Sequence, residues 1–335
     1  MYFRYGNDGG ADFQVMRVKL PCNKRILVSG GAGYIGRWLV QALRDTPAVD
    51  IVVLDNNPEY LHQLSELVQA SRVRLLYCDL SDEKQVEEIA PEIVQANWIV
   101  HLAATLSTSQ DVTQDGAREF VNNVLPLIHL LKYASDRLEV LCFTSSMSVY
   151  GCPYALPVAE THPTEPIWLY GLSKLACEKL LQIYAAQHAL TTISLRICGV
   201  YGRDTLGHRN AIPTFIRQAL KGQDVQINGD GQQIRDYIHI DDVIKGIIQA
   251  LEADKSGIYN LGSGEGWPIR QVARFVVQQS ASNSCIHFVR ENTARRRLDY
   301  VSDIALIERA LQFHPDVSIA EGIVKEIEWI RSHEE

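Results

Sequence analysis

Short apolar runs alternate with amphipathic stretches through the first half of the chain. Each run is rich in Val, Ile and Leu, and each is followed by a segment whose apolar residues recur every three or four positions. The runs are Arg25–Ser29, Ile51–Asp55, Val73–Asp79, Trp98–Ala103 and Leu138–Thr144. This pattern predicts five strands, with helices between them near 34–46, 58–70, 82–90 and 116–135.

Strict alternation of strand and helix is typical of a parallel sheet covered on both faces. A helix near 168–189 and a strand at Thr192–Ile197 continue the alternation. The fold class predicted is therefore α/β, a Rossmann-type doubly wound parallel sheet with a smaller C-terminal α/β domain that ends in a helix at 318–333. The predicted division is a poorly ordered N-terminal extension at 1–23, a Rossmann domain at 24–198 and a mainly substrate-binding domain at 199–335, with the chain crossing between the last two.

Composition excludes several classes of protein. The 335 residues carry a net charge of −8, from 32 basic and 40 acidic residues, which argues against nucleic-acid binding. The first residues lack the apolar core of a signal peptide, and no apolar run approaches membrane-spanning length, so we expect a cytoplasmic protein without membrane contact. The seven cysteines form no CxxC pair and the ten histidines are scattered, which predicts reduced thiols and no metal site.

The first predicted strand runs into a glycine motif, with Gly30, Gly33 and Gly36 three residues apart, and a helix follows. A tight turn of this kind lets the backbone approach a pyrophosphate, and the helix N-terminus presents N–H groups to it. The next strand ends in Asp55, which is placed to accept hydrogen bonds from an adenosine ribose. Since a carboxylate repels a 2′-phosphate, the motif favours NAD over NADP.

Asp79, after the third strand, is a second candidate for the cofactor site. Its side chain, followed by the backbone of Leu80, is placed to contact the adenine. An ordinary turn or helix N-cap explains an aspartate at this position equally well.

A hydroxyl, a phenol and an amine follow in the order that acid–base chemistry needs. Ser146 ends the fifth strand, and Tyr170 and Lys174 lie four residues apart on one face of the next helix. A free tyrosine has a pKa near 10, so we expect the ammonium of Lys174 and an oxidised nicotinamide to lower the pKa of Tyr170. Tyr170 would then take a proton from a substrate hydroxyl while Ser146 hydrogen-bonds the reacting oxygen. Lys174 would also hold the nicotinamide ribose.

From about residue 24 to its end the chain resembles the extended short-chain dehydrogenase/reductases, in particular the sugar-nucleotide epimerase/dehydratase group, and is UDP-glucose 4-epimerase-like. The motifs that carry the resemblance are GGAGYIG (30–36), HLAA (101–104), SSMSVYG (145–151), YGLSK (170–174), RICGVYG (196–202), RDYIHIDDV (235–243) and YNLGSG (259–264).

The resemblance implies a role for each matching position. NAD would be bound by Gly30, Gly33, Gly36 and Asp55 and lined by Tyr34, Ile35, Asp79, Leu80, Ala103 and Asn123. The catalytic set would be Ser146, Tyr170 and Lys174. Arg235 and Arg296 would contact the diphosphate of a sugar nucleotide, although either could instead form a structural salt bridge, for instance Arg296 with Asp299. Members commonly form homodimers through helices that correspond to 116–135 and 168–189.

Within that group the residues after Ser146 favour a C4 epimerase, which acts through a transient 4-keto sugar and needs only the Ser/Tyr/Lys set. Similar 4,6-dehydratases carry Asp-Glu there and decarboxylases carry Glu, whereas this chain has Met147 and Ser148. A 4-ketoreductase usually prefers NADPH, which Asp55 disfavours. Gly199 replaces a usual Asn that helps bind the diphosphate, and Pro126-Leu127 replace Gly-Thr, so we expect either an unusual substrate or a less common deoxy-sugar as product. A non-catalytic dinucleotide sensor or scaffold remains the alternative of another class.

Overall fold

A computed structural model describes residues 23–44, 46, 49–68, 72–106, 116–203, 206, 210–289 and 297–334. Residues 1–22 of the predicted N-terminal extension and Arg296 lie outside this set.

Within the described residues, seven strands form one sheet in the order β10-β6-β5-β4-β1-β2-β3. Strand β1 pairs in parallel with β2 and β4, β2 with β3, and β6 with β10. This order confirms the Rossmann-type α/β fold. The strands are β1 (Lys24–Ser29), β2 (Val49–Asp55), β3 (Val73–Tyr77), β4 (Trp98–His101), β5 (Val140–Ser146), β6 (Thr191–Ile197) and β10 (Gly257–Leu261).

The helices predicted between the strands are present, with ends that differ by a few residues. Asn57 caps α2, where its side chain accepts from the Tyr60 N–H, and Asp82 caps α3 through the Lys84 N–H. Helix α3 runs past the predicted end and contains Pro91. These helices are α1 (Tyr34–Arg44), α2 (Pro58–Leu67), α3 (Glu83–Val94), α4 (Gly116–Lys132) and α5 (Leu169–Gln187).

The remaining elements are shorter. A 3₁₀ helix (Met147–Tyr150) follows β5 directly. Two small sheets have the orders β11-β9-β7 and β12-β8. The strands are β7 (Gly199–Tyr201), β8 (Val225–Asn228), β9 (Ile234–His239), β11 (Gly266–Pro268) and β12 (Ile286–Val289); the helices are α6 (Ala211–Leu220), α7 (Ile240–Leu251), α8 (Ile269–Gln279), α9 (Ala305–Leu311) and α10 (Ile319–His333).

The chain divides into two compact units. The first unit comprises the described part of Met1–Ala104 together with Leu125–Leu141. It contains strands β1 to β4. The apolar side chains of β1, β2 and β4 are almost completely buried, as their near-continuous Val/Ile/Leu runs predict, whereas those of β3 are only partly buried and Tyr77 is 57% exposed. The carboxyl ends of β1 and β2 are followed by Gly30 and Asn56 respectively, which places the glycine motif and Asp55 at the edge where parallel sheets bind ligands.

The second unit comprises the described part of Thr105–Val124 together with Cys142–Glu335. One of its cores packs α6, α8 and α10 together. Another core joins the residues that follow Ser146 to a segment near the end of the chain. It is formed by Met147, Val149, Tyr150, Val158, Leu298 and Tyr300. The predicted domain boundary between residues 198 and 199 stays a prediction.

No helix in the described ranges has the length and apolarity needed to cross a membrane. The described residues also contain no group of three or more His, Cys, Asp or Glu side chains arranged for a metal ion. The six cysteines in the described part of the chain are free thiols, and Cys22 lies outside it.

Candidate functional site

The glycine turn of the first unit depends on two of its glycines for packing. Gly30 has a φ of +67°, and a Cβ added there would lie 2.6 Å from the backbone N of Ala103. A Cβ at Gly36 would collide with the carbonyl oxygen of Gly30. The lack of a side chain at these two positions therefore lets the turn pack against the segment after β4 and against the start of α1.

Gly33 has a different environment from its two partners in the motif. A Cβ added at Gly33 would meet one described atom within 4 Å, the carbonyl oxygen of Gly30 at 3.2 Å. The space beyond it is open among the described residues. Apart from this one tight contact, the described packing leaves the backbone at the start of α1 accessible to a phosphate group.

Asp55 is tied to this turn by its carboxylate. Its Oδ2 accepts from the Ala32 N–H at 3.0 Å and its Oδ1 from the Asn57 N–H at 3.0 Å, and the residue is 9% exposed. Burial raises the pKa of Asp55, and the backbone N–H groups oppose that shift. A phosphate-accessible turn and a braced carboxylate together fit a dinucleotide with a free ribose diol.

The other predicted cofactor residues of the first unit lie near the same strand ends. Tyr34 and Ile35 are half-buried in the first turn of α1, and Ala103 follows β4. The Leu80 carbonyl is hydrogen-bonded to His129 Nδ1 at 2.7 Å. Asp79 Oδ1 accepts from both the N–H and the hydroxyl of Ser81, at 2.9 and 2.7 Å. The turn role of Asp79 thus has direct support, whereas its adenine contact stays a prediction.

Asn123, predicted to line the cofactor, acts as a brace inside the second unit. Its Oδ1 accepts from the Thr105 N–H at 2.7 Å, and its Nδ2 lies 3.0 Å from both the Thr105 carbonyl and the Ser173 hydroxyl. The side chain is 2% exposed. Asn123 therefore connects the segment before α4 to the first turn of α5, a role that the sequence analysis missed. The feature of the sequence that could have indicated this brace is the hydroxyl of Ser173, between Tyr170 and Lys174.

Lys174 and Tyr170 lie together on one face of α5, as their spacing predicts. The ammonium of Lys174 is 5.6 Å from the centroid of the Tyr170 ring and 4.8 Å from that of Phe143. It donates a hydrogen bond of 2.8 Å to the Thr144 carbonyl, and the residue is 2% exposed. The Tyr170 hydroxyl makes no hydrogen bond to the described residues, so it is open to a ligand.

The protein groups alone raise the pKa of Tyr170, and the lowering predicted for the site with an oxidised nicotinamide stays a prediction. Burial raises the pKa of Tyr170 to about 12, and the nearby charge of Glu119 acts in the same direction. Burial also lowers the pKa of Lys174 to about 8, with Cys177 and Glu178 opposing it. Desolvation disfavours the phenolate, and sequence spacing shows neither the depth of burial nor the position of Glu119.

A buried ion pair supports this end of α5. Glu178, one turn beyond Lys174, is bound by the Arg196 guanidinium at 3.0 and 2.8 Å, and both side chains are almost completely buried. Ser145 Oγ donates to Glu178 at 2.5 Å. Arg196 also donates to the Tyr150 hydroxyl at 2.8 Å. These contacts fix α5 against both ends of the turn that carries Ser146.

Ser146 is half-buried at the end of β5 and caps the following 3₁₀ helix, accepting from the Ser148 N–H at 3.2 Å. Met147 is 4% exposed in the core that follows, where the Ser302 hydroxyl lies 3.8 Å from its sulfur. The position that bears an acid in related dehydratases is therefore occupied by a packed apolar side chain.

Arg235 on β9 has a half-buried guanidinium that lies 5.1 Å from the centroid of the Tyr300 ring. Burial lowers its pKa, and it forms no ion pair with any described residue. The salt bridge considered for Arg296 is made by its neighbour, since Arg297 binds Asp299 at 2.8 Å. Arg296 itself lies outside the described residues.

A family model described as the NAD dependent epimerase/dehydratase family matches residues 26–262. A putative UDP-glucose 4-epimerase from Methanocaldococcus jannaschii is 29% identical over 92% of this chain and 99% of its own. A dTDP-glucose 4,6-dehydratase from Actinoplanes sp. is also 29% identical, over 92% and 98%. The names of the relatives thus refer to more than one reaction.

A solved structure of UDP-glucuronic acid 4-epimerase from Bacillus cereus, in complex with UDP-glucuronic acid and NAD, is also similar. It is 27% identical, superimposes with a TM-score of 0.80, and the match covers 92% of this chain and 99% of the other. With the family model matching well over half of the sequence, the chain belongs to the NAD-dependent epimerase/dehydratase family, the sugar-nucleotide branch of the extended short-chain dehydrogenase/reductases.

Proposed function

We propose that this chain inverts the configuration at C4 of a nucleotide-diphosphate sugar through a transient 4-keto sugar. The observation that carries the proposal is the site around Ser146, where a phenol and an amine lie on α5 and a packed methionine follows the serine. This set moves one proton at one oxygen, and Met147 and Ser148, which follow Ser146, are not an acid–base pair that could remove the C5 proton and expel water, as a dehydration requires.

Tyr170 is the proton acceptor and donor in this mechanism. Its hydroxyl is open to a sugar hydroxyl, and a positive charge must offset the cost of forming a buried phenolate. Lys174 supplies one such charge at 5.6 Å from the ring centroid. NAD, when bound, would accept a hydride from C4 and return it to the opposite face, and its oxidised ring would add a second positive charge.

The chain's own residues divide the recognition of the substrate. Ser146 hydrogen-bonds the oxygen on C4, and Arg235 binds the diphosphate, since a guanidinium with no ion-pair partner among the described residues suits a phosphate group. Gly199, exposed at the start of β7 opposite Tyr237, presents no side chain to the ligand. The substrate is a nucleotide sugar, as in the solved relative, and NAD is held by the glycine turn and Asp55.

We also propose a homodimer that uses the outer face of α5. Leu172 and Ile183 are 43% and 59% exposed and lie eleven residues apart, about three turns, on the same helix face. Val121 on α4 is 42% exposed, whereas Val124 and Leu127 on the same helix are buried. Free thiols fit the cytoplasmic location expected from the sequence.

Light scattering at micromolar concentration should give twice the 37.6 kDa mass of the chain. Ile183→Glu should shift the protein toward the monomer because a carboxylate would be desolvated in the seam, whereas Gln182→Glu on the exposed side of α5 should not. A monomeric wild-type protein would refute the dimer.

Incubation with a panel of nucleotide sugars, with products resolved by NMR, should yield a C4 epimer without added cofactor. Tyr170→Phe should reduce the rate by about 10²- to 10⁴-fold while NAD stays bound, because the acid–base group is lost. Tyr154→Phe, at a residue 78% exposed, is the matched control and should retain the wild-type rate. A 4-keto-6-deoxy product would show a dehydratase, and bound NAD with no turnover of any sugar would favour a sensor.

Lys174→Met should raise stability at neutral pH. The pKa of Lys174 is lowered to about 8 on folding, so its charge destabilises the folded protein fully below pH 8 and progressively less up to the unfolded value near 10.5. After allowance for the lost hydrogen bond, we expect Lys174→Met to be more stable by about 2 kcal/mol at pH 7, with a smaller difference at pH 10.

Chemical denaturation at the two pH values measures this difference. Lys255→Met removes an exposed lysine outside α4 and α5 and should change stability little at either pH. The argument for a strained buried ammonium fails if Lys174→Met is less stable than the wild type at pH 7.

Gly33→Ala should leave the protein folded but weaken NAD binding by roughly 10- to 100-fold, because its methyl group would enter the open space beside the turn. Gly36→Ala should instead lower the melting temperature, because its Cβ collides with Gly30. Calorimetric titration of NAD, with thermal unfolding in parallel, separates the two effects. Unchanged NAD affinity in Gly33→Ala would place the pyrophosphate elsewhere.

A further inference from the structure

The hydroxyl of Ser146 has two neighbours that use its acceptor capacity. The Ser148 N–H donates to Ser146 Oγ at 3.2 Å, and the Ser148 hydroxyl donates to the same oxygen at 3.0 Å. A serine hydroxyl has two lone pairs and one proton. With both lone pairs engaged, Ser146 has only its proton left for a ligand.

Ser148 is held firmly enough to impose this arrangement. Its chain neighbours Met147 and Val149 are 4% and 0% exposed, which fixes the short helix in the core. Its carbonyl lies against α5, since a Cβ added at Gly171 would be 2.5 Å from that oxygen. The Gly151 N–H also donates to this carbonyl at 3.4 Å. The residue that directs Ser146 is therefore fixed next to Tyr170.

We propose that Ser148 is a positioning residue that makes Ser146 a pure hydrogen-bond donor toward the oxygen on the reacting carbon. The inference rests on the proposed function and deepens it. During oxidation the proton of the sugar hydroxyl passes to Tyr170, and Ser146 keeps its own proton throughout. Ser146 donates to the same oxygen while that oxygen is a hydroxyl, an oxyanion and then a ketone.

Without the Ser148 hydroxyl, Ser146 has a free lone pair and its proton is free to rotate. Ser146 then accepts the proton of the sugar hydroxyl in a ground-state hydrogen bond, which withholds that proton from Tyr170. Substrate binds about as well in either arrangement, because one hydrogen bond replaces another. The loss therefore falls on the chemical step rather than on binding.

The test compares Ser148→Ala with Ser148→Thr, which keeps the hydroxyl. Ser148→Ala should lower kcat about 10-fold, the equivalent of one hydrogen bond, with KM within about 2-fold of wild type. Ser148→Thr should restore kcat to within about 3-fold. Ser332→Ala, which removes an exposed hydroxyl on α10, is the control and should match the wild type.

Thermal unfolding of each variant identifies any loss of structure. Wild-type kcat in Ser148→Ala, equal losses in the Ala and Thr variants, or a lower kcat that tracks a lower melting temperature would each overturn the inference. Ser146→Ala and Tyr170→Phe separate this result from the proposed function. If both of those abolish turnover while Ser148→Ala does not slow it, the role of Ser148 alone is refuted; if neither slows turnover, the proposed function itself is refuted.

Discussion

The hydrogen bond between the Lys174 ammonium and the Thr144 carbonyl is the constraint on which the second unit's site depends. It joins the first turns of α5 to the end of β5, and it does so with a charge that is almost completely buried. A buried ammonium is unfavourable by itself, as the lowered pKa of Lys174 shows. The protein retains it at the place where a phenolate would need a counter-charge.

The Arg196–Glu178 ion pair connects β6 to α5, one turn further along the helix. Buried ion pairs often add little net stability, but loss of one partner leaves an uncompensated charge, so the pair makes the geometry strongly specific. Ser145, the residue before Ser146, donates a hydrogen bond to Glu178. The Lys174–Thr144 and Ser145–Glu178 hydrogen bonds fix α5 against the end of β5. Together with the close approach of Gly171 to the Ser148 carbonyl, they set the position of the Tyr170 phenol relative to the Ser146 hydroxyl.

Sequence patterns predicted what depends on local periodicity and on contiguous motifs. The alternating strands, the glycine turn and the shared helix face of Tyr170 and Lys174 all follow from spacing along the chain. Helix ends were less accurate, because capping residues such as Asp82 and a tolerated Pro91 decide them individually. The brace formed by Asn123 and the approach of Gly171 to Ser148 depend on tertiary contacts. Within the protein, the pKa of Tyr170 depends on burial and on Glu119 from another helix, neither of which spacing along the chain shows.

The donor-only state proposed for Ser146 has a consequence for selectivity along the reaction path. An alcohol both donates and accepts, whereas a carbonyl group only accepts, so a site that offers only a proton suits the ketone better than a site that could also accept. In the proposed reaction the sugar ring must rotate before hydride returns. A partner that only donates would favour retention of the oxidised sugar in the site until then.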